Sequence, residues 1–367
     1  MNTLFKIILL LFAVAIAMHM SKEFGYKFGK DEMTSYANLP YFSNGAFLSP
    51  EPLPHYPERV SGGGGGSKKF FLSFLFPNPN APKDKLPIVP LKKDSFDKIP
   101  SDLSAYWLGH SSLIIELEGK RFLIDPVFEN AAPIPFVVGR HQPAPMGREE
   151  LPPIDYVLIT HDHYDHLEYG TIKYLSNSNA RFIVPLGIGK HLEKWGVDGN
   201  FISELGWGDT FTEGGISVAV EPTLHYSGRL FSPSNQTLWA CYALRGQNHS
   251  VFISGDSGYG DHFKDIGTKY GPFDMAFIEI DAWNPGWPKT HMYPEEALRA
   301  FRDVKAKALV PIHWAVFDLA RHPWKESITM VKELVDKAGD ILLLTPLIGQ
   351  KLVPGVTETC PWWENLR

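Results

Sequence analysis

Cysteine is what this chain has least of. Cys241 and Cys360 are its two cysteines in 367 residues. That excludes a disulfide scaffold, and neither stands in a Cys-x-x-Cys pair of the kind that grips zinc or runs thiol redox chemistry. One packed thiol and one tail thiol is the expectation, with a single bridge as the alternative. Positive charge is not in excess either: 35 Lys and Arg against 41 Asp and Glu leave a formal charge of −6 and a pI near 6.2. A surface that tracks phosphates needs clustered cations, so nucleic acid is excluded as the main partner. The pairs Lys68-Lys69 and Lys92-Lys93 read as solvated surface. No internal repeat is visible, and no apolar run reaches the ~20 residues of a spanning helix. The 32 glycines and 30 prolines point to many turns and long loops rather than long helices.

What is present begins at the N-terminus. Lys6 precedes the apolar run Ile7 to Met18, with Ala15-Ile16-Ala17 near its end. These are the parts of a secretory signal peptide. Export with cleavage after Ala17 is the first expectation and an uncleaved membrane anchor the second, either one placing the body outside the cytoplasm, in the periplasm or facing it. No lipobox cysteine follows, which excludes a lipoprotein. Residues 18–69 are expected as a Gly/Pro-rich linker and N-terminal extension, with the Gly62 to Gly66 run as its flexible part. Phe70, Phe71, Phe74 and Phe76 either pack this segment onto the core or line a groove, and Pro77, Pro79 and Pro82 carry the chain into the body in irregular structure. The body is expected over 70–355, followed by a tail, 356–367.

Within the body, Leu113 to Leu117 and Arg121 to Ile124 flank the turn Glu118-Gly119, a hairpin signal. Tyr156 to Thr160, Arg181 to Pro185, Ser217 to Glu221, Leu238 to Leu244, Val251 to Ser254, Met275 to Ile280 and Ala308 to Ile312 read as further strands. Helical patterns cover Gly170 to Leu175, Ile188 to Trp195, Pro294 to Asp303 and Trp324 to Ala338. Short strands and helices in alternation favour a layered α/β or α+β architecture.

The sharpest feature is Thr160-His161-Asp162-His163-Tyr164-Asp165-His166, which places four potential ligands within six residues, directly after a buried strand. Residues i and i+2 of extended chain face the same way, so His161 and His163 can reach one ion, and the turn beyond can swing Asp165 and His166 toward a second. Imidazole and carboxylate suit Zn, Mn or Fe. Three partners sit at the ends of expected strands: His225 after Ala219 to Leu224, Asp256 after Val251 to Gly255, and His313 after Ala308 to Ile312. Each alone could be a satisfied histidine or an Asx turn. The repetition of strand then ligand makes the joint reading stronger.

His161-Asp162-His163-Tyr164-Asp165-His166 resembles the H-x-H-x-D-H motif of the metallo-β-lactamase superfamily. Trp107 to Ser112, Leu123 to Pro126, Ser254 to Ser257, His291 to Ala297 and His313-Trp314 look like one branch of it, the N-acyl-phosphatidylethanolamine-hydrolysing phospholipase D group and its bacterial relatives. The likeness covers roughly residues 70 to 352. It implies a four-layer αββα sandwich with a dinuclear site at one edge and an irregular N-terminal extension. By position it implies one metal on His161, His163 and His225, a second on Asp165, His166 and His313, and Asp256 bridging both. Oxygen-reducing members of the superfamily carry a carboxylate where His163 stands, so the hydrolytic side is favoured. Two divalent ions are implied, zinc first, with Mn2+ or Fe2+ compatible. Two cations sharing one water lower its pKa from about 15.7 toward neutrality, giving a bridging hydroxide. The expected catalytic residues are Asp165, Asp256 and His291.

His291 precedes the helix start Pro294-Glu295-Glu296 and is the candidate for substrate contact or leaving-group protonation, since imidazoles titrate near neutrality; a surface histidine is the plain alternative. His110 is expected behind the metals or on the rim. Asp125 either orients a ligand imidazole or ends a strand. Trp283, Pro285, Trp287 and Pro288 form either a stiff aromatic loop for an amphipathic substrate or a packed surface loop. Ser111, Ser112 and Ser257 have no adjacent base in sequence, which argues against a serine hydrolase. Pro143 to Pro153 is a proline-rich loop without an assigned role. The exported N-terminus and glycine run lie outside the family pattern, so the substrate need not be the mammalian one.

The expected activity is hydrolysis of a phosphodiester, that of a glycerophospholipid with an N-acyl ethanolamine or related head group, with membrane association as a corollary. Hydrolysis of a lactone or other ester is the alternative within the same chemistry. An exported, non-catalytic metal-binding envelope protein is the alternative from another class, and complete ligand sets argue against it.

Overall fold

Period-two alternation sorts the strand residues onto two faces. The computed structural model describes residues 5, 21–53, 78–96, 102–133 and 137–367. The apolar run Ile7 to Met18, the Gly62 to Gly66 run, and Phe70, Phe71, Phe74 and Phe76 lie outside the described residues. The first sheet contains β1 (Leu103–Gly109), β2 (Ser112–Leu117), β3 (Lys120–Ile124), β4 (Tyr156–Leu158), β5 (Arg181–Pro185) and β6 (Ile202–Leu205). The second contains β7 (Thr210–Glu213), β8 (Ile216–Glu221), β9 (Cys241–Arg245), β10 (Ser250–Ile253), β11 (Phe273–Glu279), β12 (Ala306–Ile312) and β13 (Leu342–Leu343). A last strand, β14 (Lys351–Leu352), returns to the first sheet beside β1. The orders are β14-β1-β2-β3-β4-β5-β6 and β13-β12-β11-β10-β9-β8-β7. Each sheet is antiparallel in one half and parallel in the other.

Leu113, Ile115, Phe122, Ile124, Leu158 and Ile183 face the second sheet and join its Val218, Val220, Tyr242, Leu244 and Ile253 in one buried cluster. The alternate residues Ile114, Leu123, Val157, Phe182 and Val184 face outward. They are covered by α1 (Tyr169–Leu175) and α2 (Ile188–Lys194), through Ile172, Leu175, Ile188 and Leu192. On the far side α3 (His262–Lys269), α4 (Pro294–Asp303) and α5 (Glu326–Ala338) cover the second sheet with Phe263, Ile266, Ala297, Phe301, Ile328 and Val331. A buried Leu or Ile contributes about 1.5–3 kcal/mol, so sheets buried on both faces hold the sandwich. Helix, sheet, sheet, helix is the four-layer αββα order the resemblance implies.

Local departures have physical causes. Leu238 to Ala240 were expected inside a strand. Instead Leu238 N donates to Leu186 O and Ala240 N to Thr160 O, so these residues bridge to the first sheet and β9 starts at Cys241. Pro311 lies inside β12, where a missing N–H would break a ladder; the neighbour β13 pairs only with Ala308 and Leu309, before the proline. Strands β1, β6, β7, β13 and β14 and helix α3 were not read from sequence. Both thiols are free, Cys241 buried and Cys360 exposed, so the bridge alternative falls. Residues 21–53 lie against the body, with Phe47 buried beside Leu238 and Trp239. The expected tail also packs: Trp363 is buried and Trp362 stacks on Trp314 at 5.2 Å.

His322 ties the segment after β12 to the segment after β11. Its ring stacks on Trp283 at 4.9 Å, and Nε2 lies 3.1 Å from Asp281 Oδ1. Burial opposes its charge, but the Asp281 carboxylate outweighs burial and raises it to about 9. A folded value above the unfolded value of about 6.5 stabilises fully below ~6.5 and ceases to as pH rises through ~9. The melting-temperature gap between wild type and His322→Gln is therefore expected to shrink from pH 6 to pH 10. A gap constant over that range would remove the ion pair from the account.

Candidate metal centre

Strand direction brings the ligands together. Because β8 and β10 are each antiparallel to β9, and β11 and β12 run parallel to β10, the C-terminal ends of β8, β10, β11 and β12 share one edge of the second sheet. Following or ending those strands are His225, Asp256, Glu279 and His313. From the first sheet, β4 runs through Ile159 and Thr160 into a tight turn closed by His166 N and Leu167 N donating to His163 O. Gly255 permits the approach of Asp256: its φ is +54°, and a Cβ there would lie 2.8 Å from Ala240 O. His110, Asp125 and His313 also hold left-handed backbone, at φ 52°, 41° and 68°. That conformation is strained for residues with a Cβ and gathers at functional sites.

The donor atoms form two sets that share one carboxylate. In the first, His163 Nδ1 lies 2.9 Å from His161 Nε2 and 3.3 Å from His225 Nε2. Asp256 Oδ2 completes it at 3.7 Å from both His161 Nε2 and His225 Nε2. In the second, Asp165 Oδ2 lies 3.4 Å from His166 Nε2 and 3.4 Å from His313 Nε2, and Asp256 Oδ2 lies 3.2 Å from each of those nitrogens. Bonds of about 2.0–2.2 Å around a tetrahedral ion put donors roughly 3.3–3.6 Å apart, and both sets are close to that spacing. His166 Nε2, His313 Nε2 and Asp256 Oδ1 are buried without a hydrogen-bond partner among the described residues. Such atoms are costly unless something binds them. The residues present therefore fit metal ions.

Outer hydrogen bonds select the tautomers. Thr160 N and Oγ1 donate to the two oxygens of Asp125 at 2.7 Å each, so Thr160 Oγ1 is left to accept from His161 Nδ1 at 3.0 Å. His166 Nδ1 donates to Asp125 Oδ2 at 2.7 Å, and His225 Nδ1 to Thr290 O at 3.1 Å. In all three rings Nε2 is thereby free to face the shared carboxylate. Asp125, left open between two roles by the sequence, hydrogen-bonds the imidazole of His166, a candidate ligand. His110 lies behind the site, its Nε2 2.9 Å from Asp165 Oδ2.

Electrostatics agree. Burial pushes His161 and His225 well below the usual imidazole range, leaving the nitrogen lone pairs a metal needs. Asp165 and Asp256 go the other way: burial opposes ionisation, but the neighbouring His166 holds both well below the carboxylate range. Against the pull of burial, Asp256 raises His166 strongly and His313 to about 10. These same nitrogens are the ones a divalent cation would take, and its charge would then balance the buried carboxylates.

The structure thus gathers His161, His163, Asp165, His166, His225, Asp256 and His313, and brings His291 to their edge, its ring 5.1 Å from His225 and 5.2 Å from His313. Trp283 and Trp287 are half-buried, their indole N–H groups bound to Ser327 Oγ and Ala282 O, so this is a packed loop. Ser257 Oγ donates to Gly258 O at 2.6 Å. Two features escaped the sequence reading. Glu279, fully buried at the end of β11, binds His291 Nδ1 through Oε2 at 2.9 Å; the rule of strand then ligand, applied to β11, would have found it. Arg229, also buried, donates to Asp162 O, Leu167 O and Glu23 O at 2.6, 3.0 and 2.7 Å. It clamps the ligand turn to the N-terminal extension across 206 positions of sequence, a contact no local pattern announces.

A family model described as a β-lactamase superfamily domain matches residues 120–314. An uncharacterised protein of Mycobacterium tuberculosis is 41% identical over 271 residues, 72% of each chain. The N-acyl-phosphatidylethanolamine-hydrolyzing phospholipase D 1 of Caenorhabditis elegans is 36% identical over 283 residues, 71% of this chain and 79% of that one. Among solved structures, a metallo hydrolase of the archaeon Ignicoccus hospitalis superposes with a TM-score of 0.55 at 20% identity, covering 68% of this chain and 97% of its own.

Two outcomes follow from the geometry. Asp125→Ala is expected to weaken metal binding about 10–100-fold, measured by chelator competition; unchanged affinity would deny Asp125 its orienting role. Gly255→Ala forces a Cβ against Ala240 O and is expected to lower both the melting temperature and the bound metal, and a variant matching wild type in both would refute the constraint.

Proposed function

This chain belongs to the metallo-β-lactamase-fold hydrolases of the β-lactamase superfamily, and from that premise we propose that it cleaves a phosphodiester bond, that of a glycerophospholipid with an N-acyl ethanolamine or related head group. The observation that carries the reading is Asp256 Oδ2, within 3.2–3.7 Å of four imidazole nitrogens and so common to both donor sets. His161, His163 and His225 would hold one divalent cation and Asp165, His166 and His313 a second, with Asp256 between them; the imidazole-rich donors put Zn2+ first, with Mn2+ and Fe2+ compatible. When bound, such a pair supplies hydroxide near neutral pH and draws off charge that grows on phosphoryl oxygens.

The remaining work falls to the chain. Asp125, Thr160 and Thr290 keep three imidazoles in the ligating tautomer. His110 holds Asp165 Oδ2 in place. His291 keeps 12% of its side chain in solvent at the edge of the site, where it can meet a substrate's leaving oxygen. Likeness to a phospholipase D supports a phospholipid over other diesters. A lipid substrate suits a protein exported to, or anchored at, a membrane, and the run Ile7 to Met18 is the segment that would do this.

The test is turnover of N-acyl-phosphatidylethanolamine vesicles, bis(4-nitrophenyl) phosphate and a lactone by wild type and Asp256→Asn, with metal content measured alongside. Wild type is expected to cleave the phosphodiesters, and Asp256→Asn to lose at least ~100-fold, the scale of removing one preorganised electrostatic group. Lactone opening with intact phosphodiesters would overturn the substrate reading. Equal turnover in the two proteins would overturn the shared role of Asp256.

A further inference from the structure

The sequence marks His291, but what makes its ring usable lies one strand away. Glu279 is the last residue of β11 and has no exposed surface. Its Oε2 accepts the His291 Nδ1 proton at 2.9 Å. Its Oε1 accepts Ser257 N at 3.0 Å and Met292 N at 3.2 Å. Both carboxylate oxygens are thus committed, and the neighbours they hold are next to Asp256 and His291. A carboxylate placed this way does for His291 what Asp125 does for His166: it fixes the ring plane and decides which nitrogen faces the site. The Nε2 of His291 makes no hydrogen bond among the described residues.

We propose that Glu279 is the positioning residue that sets His291 to give a proton, through Nε2, to the oxygen leaving phosphorus. The inference rests on the phosphodiester reading above. In the step, the oxygen of a water bonds to phosphorus as the phosphorus–oxygen bond to the alcohol breaks. The bonding electron pair departs on that oxygen, His291 Nε2 passes it a proton, and the attacking water returns a proton to the ring. The net reaction is phosphodiester plus water to phosphomonoester plus alcohol. Glu279, fully buried, acts through the ring, by holding Nδ1–H. An alkoxide is a poor leaving group and needs the proton, whereas 4-nitrophenolate does not, so leaving-group chemistry isolates the effect. General acid catalysis is worth about 10²–10⁴-fold.

The experiment compares two phosphodiesters differing only in leaving group, an alkoxide against 4-nitrophenolate, for wild type, His291→Asn, Glu279→Gln and the double variant, with metal content determined for each. Both single variants are expected to lose at least ~100-fold on the alkoxide substrate and less than ~10-fold on the nitrophenyl one. The double variant should be no worse than His291→Asn, and metal content should not change. Equal losses on the two substrates, additive losses in the double variant, or a fall in bound metal would each overturn the proposal; the last would make Glu279 a support for Asp256 through Ser257. Nitrogen-15 NMR of the wild-type protein reads the same claim without a variant: a His291 ring whose Nδ1 carries no proton overturns it. If wild type cleaves neither diester, the substrate reading has failed. Aryl and alkyl carboxylic esters then decide the role of Glu279 by the same comparison.

Discussion

Two carboxylates, Asp165 and Asp256, are buried among imidazoles at one edge of a sandwich whose two sheets pack through an apolar cluster. Removing a carboxylate from water is costly unless positive charge and hydrogen bonds surround it. Here four imidazole nitrogens stand within 3.2–3.7 Å of Asp256 Oδ2, and His110 together with His166 and His313 surrounds Asp165 Oδ2. The rest of the site follows from this need for compensation. The same nitrogens that balance the carboxylates are the ones a divalent cation would use, so the polar cluster is also the candidate metal centre.

The fold places the cluster through strand direction. Four strands of the second sheet end at one edge, and β4 of the first sheet ends opposite them. Each contributes a polar residue at or beyond the end of its strand, Glu279 being the last residue of its own. Left-handed backbone at His110, Asp125 and His313 and the glycine at 255 mark where chain conformation has been given up for geometry. Strain of that kind persists because the packed sheets on either side over-determine it.

Support for the ligands comes from further out. Asp125 serves both Thr160 and His166, Glu279 serves both Ser257 and His291, and Arg229 holds two carbonyls of the ligand turn together with one of the N-terminal extension. In each case one buried polar side chain satisfies several partners at once. Residues 21–53 are thereby more than a tether, since Glu23 O accepts from the guanidinium that braces the site.

The candidate donor residues were legible from local order alone. A short apolar strand followed by His161 to His166, and the same strand-then-ligand arrangement at His225, Asp256 and His313, name seven donors before any coordinate is known. The alternation of short strands with helices likewise announces a layered architecture. These signals are local, carried by residues a few positions apart. What only tertiary structure decided is non-local: that Leu238 to Ala240 bridge the sheets rather than extend a strand, that Asp256 belongs to both donor sets, that Glu279 meets His291, and that Arg229 reaches Glu23. A buried Glu in an apolar strand, or an Arg in a loop, has many possible partners in sequence. Burial then requires each of them to have one, and the chain's folding determines which.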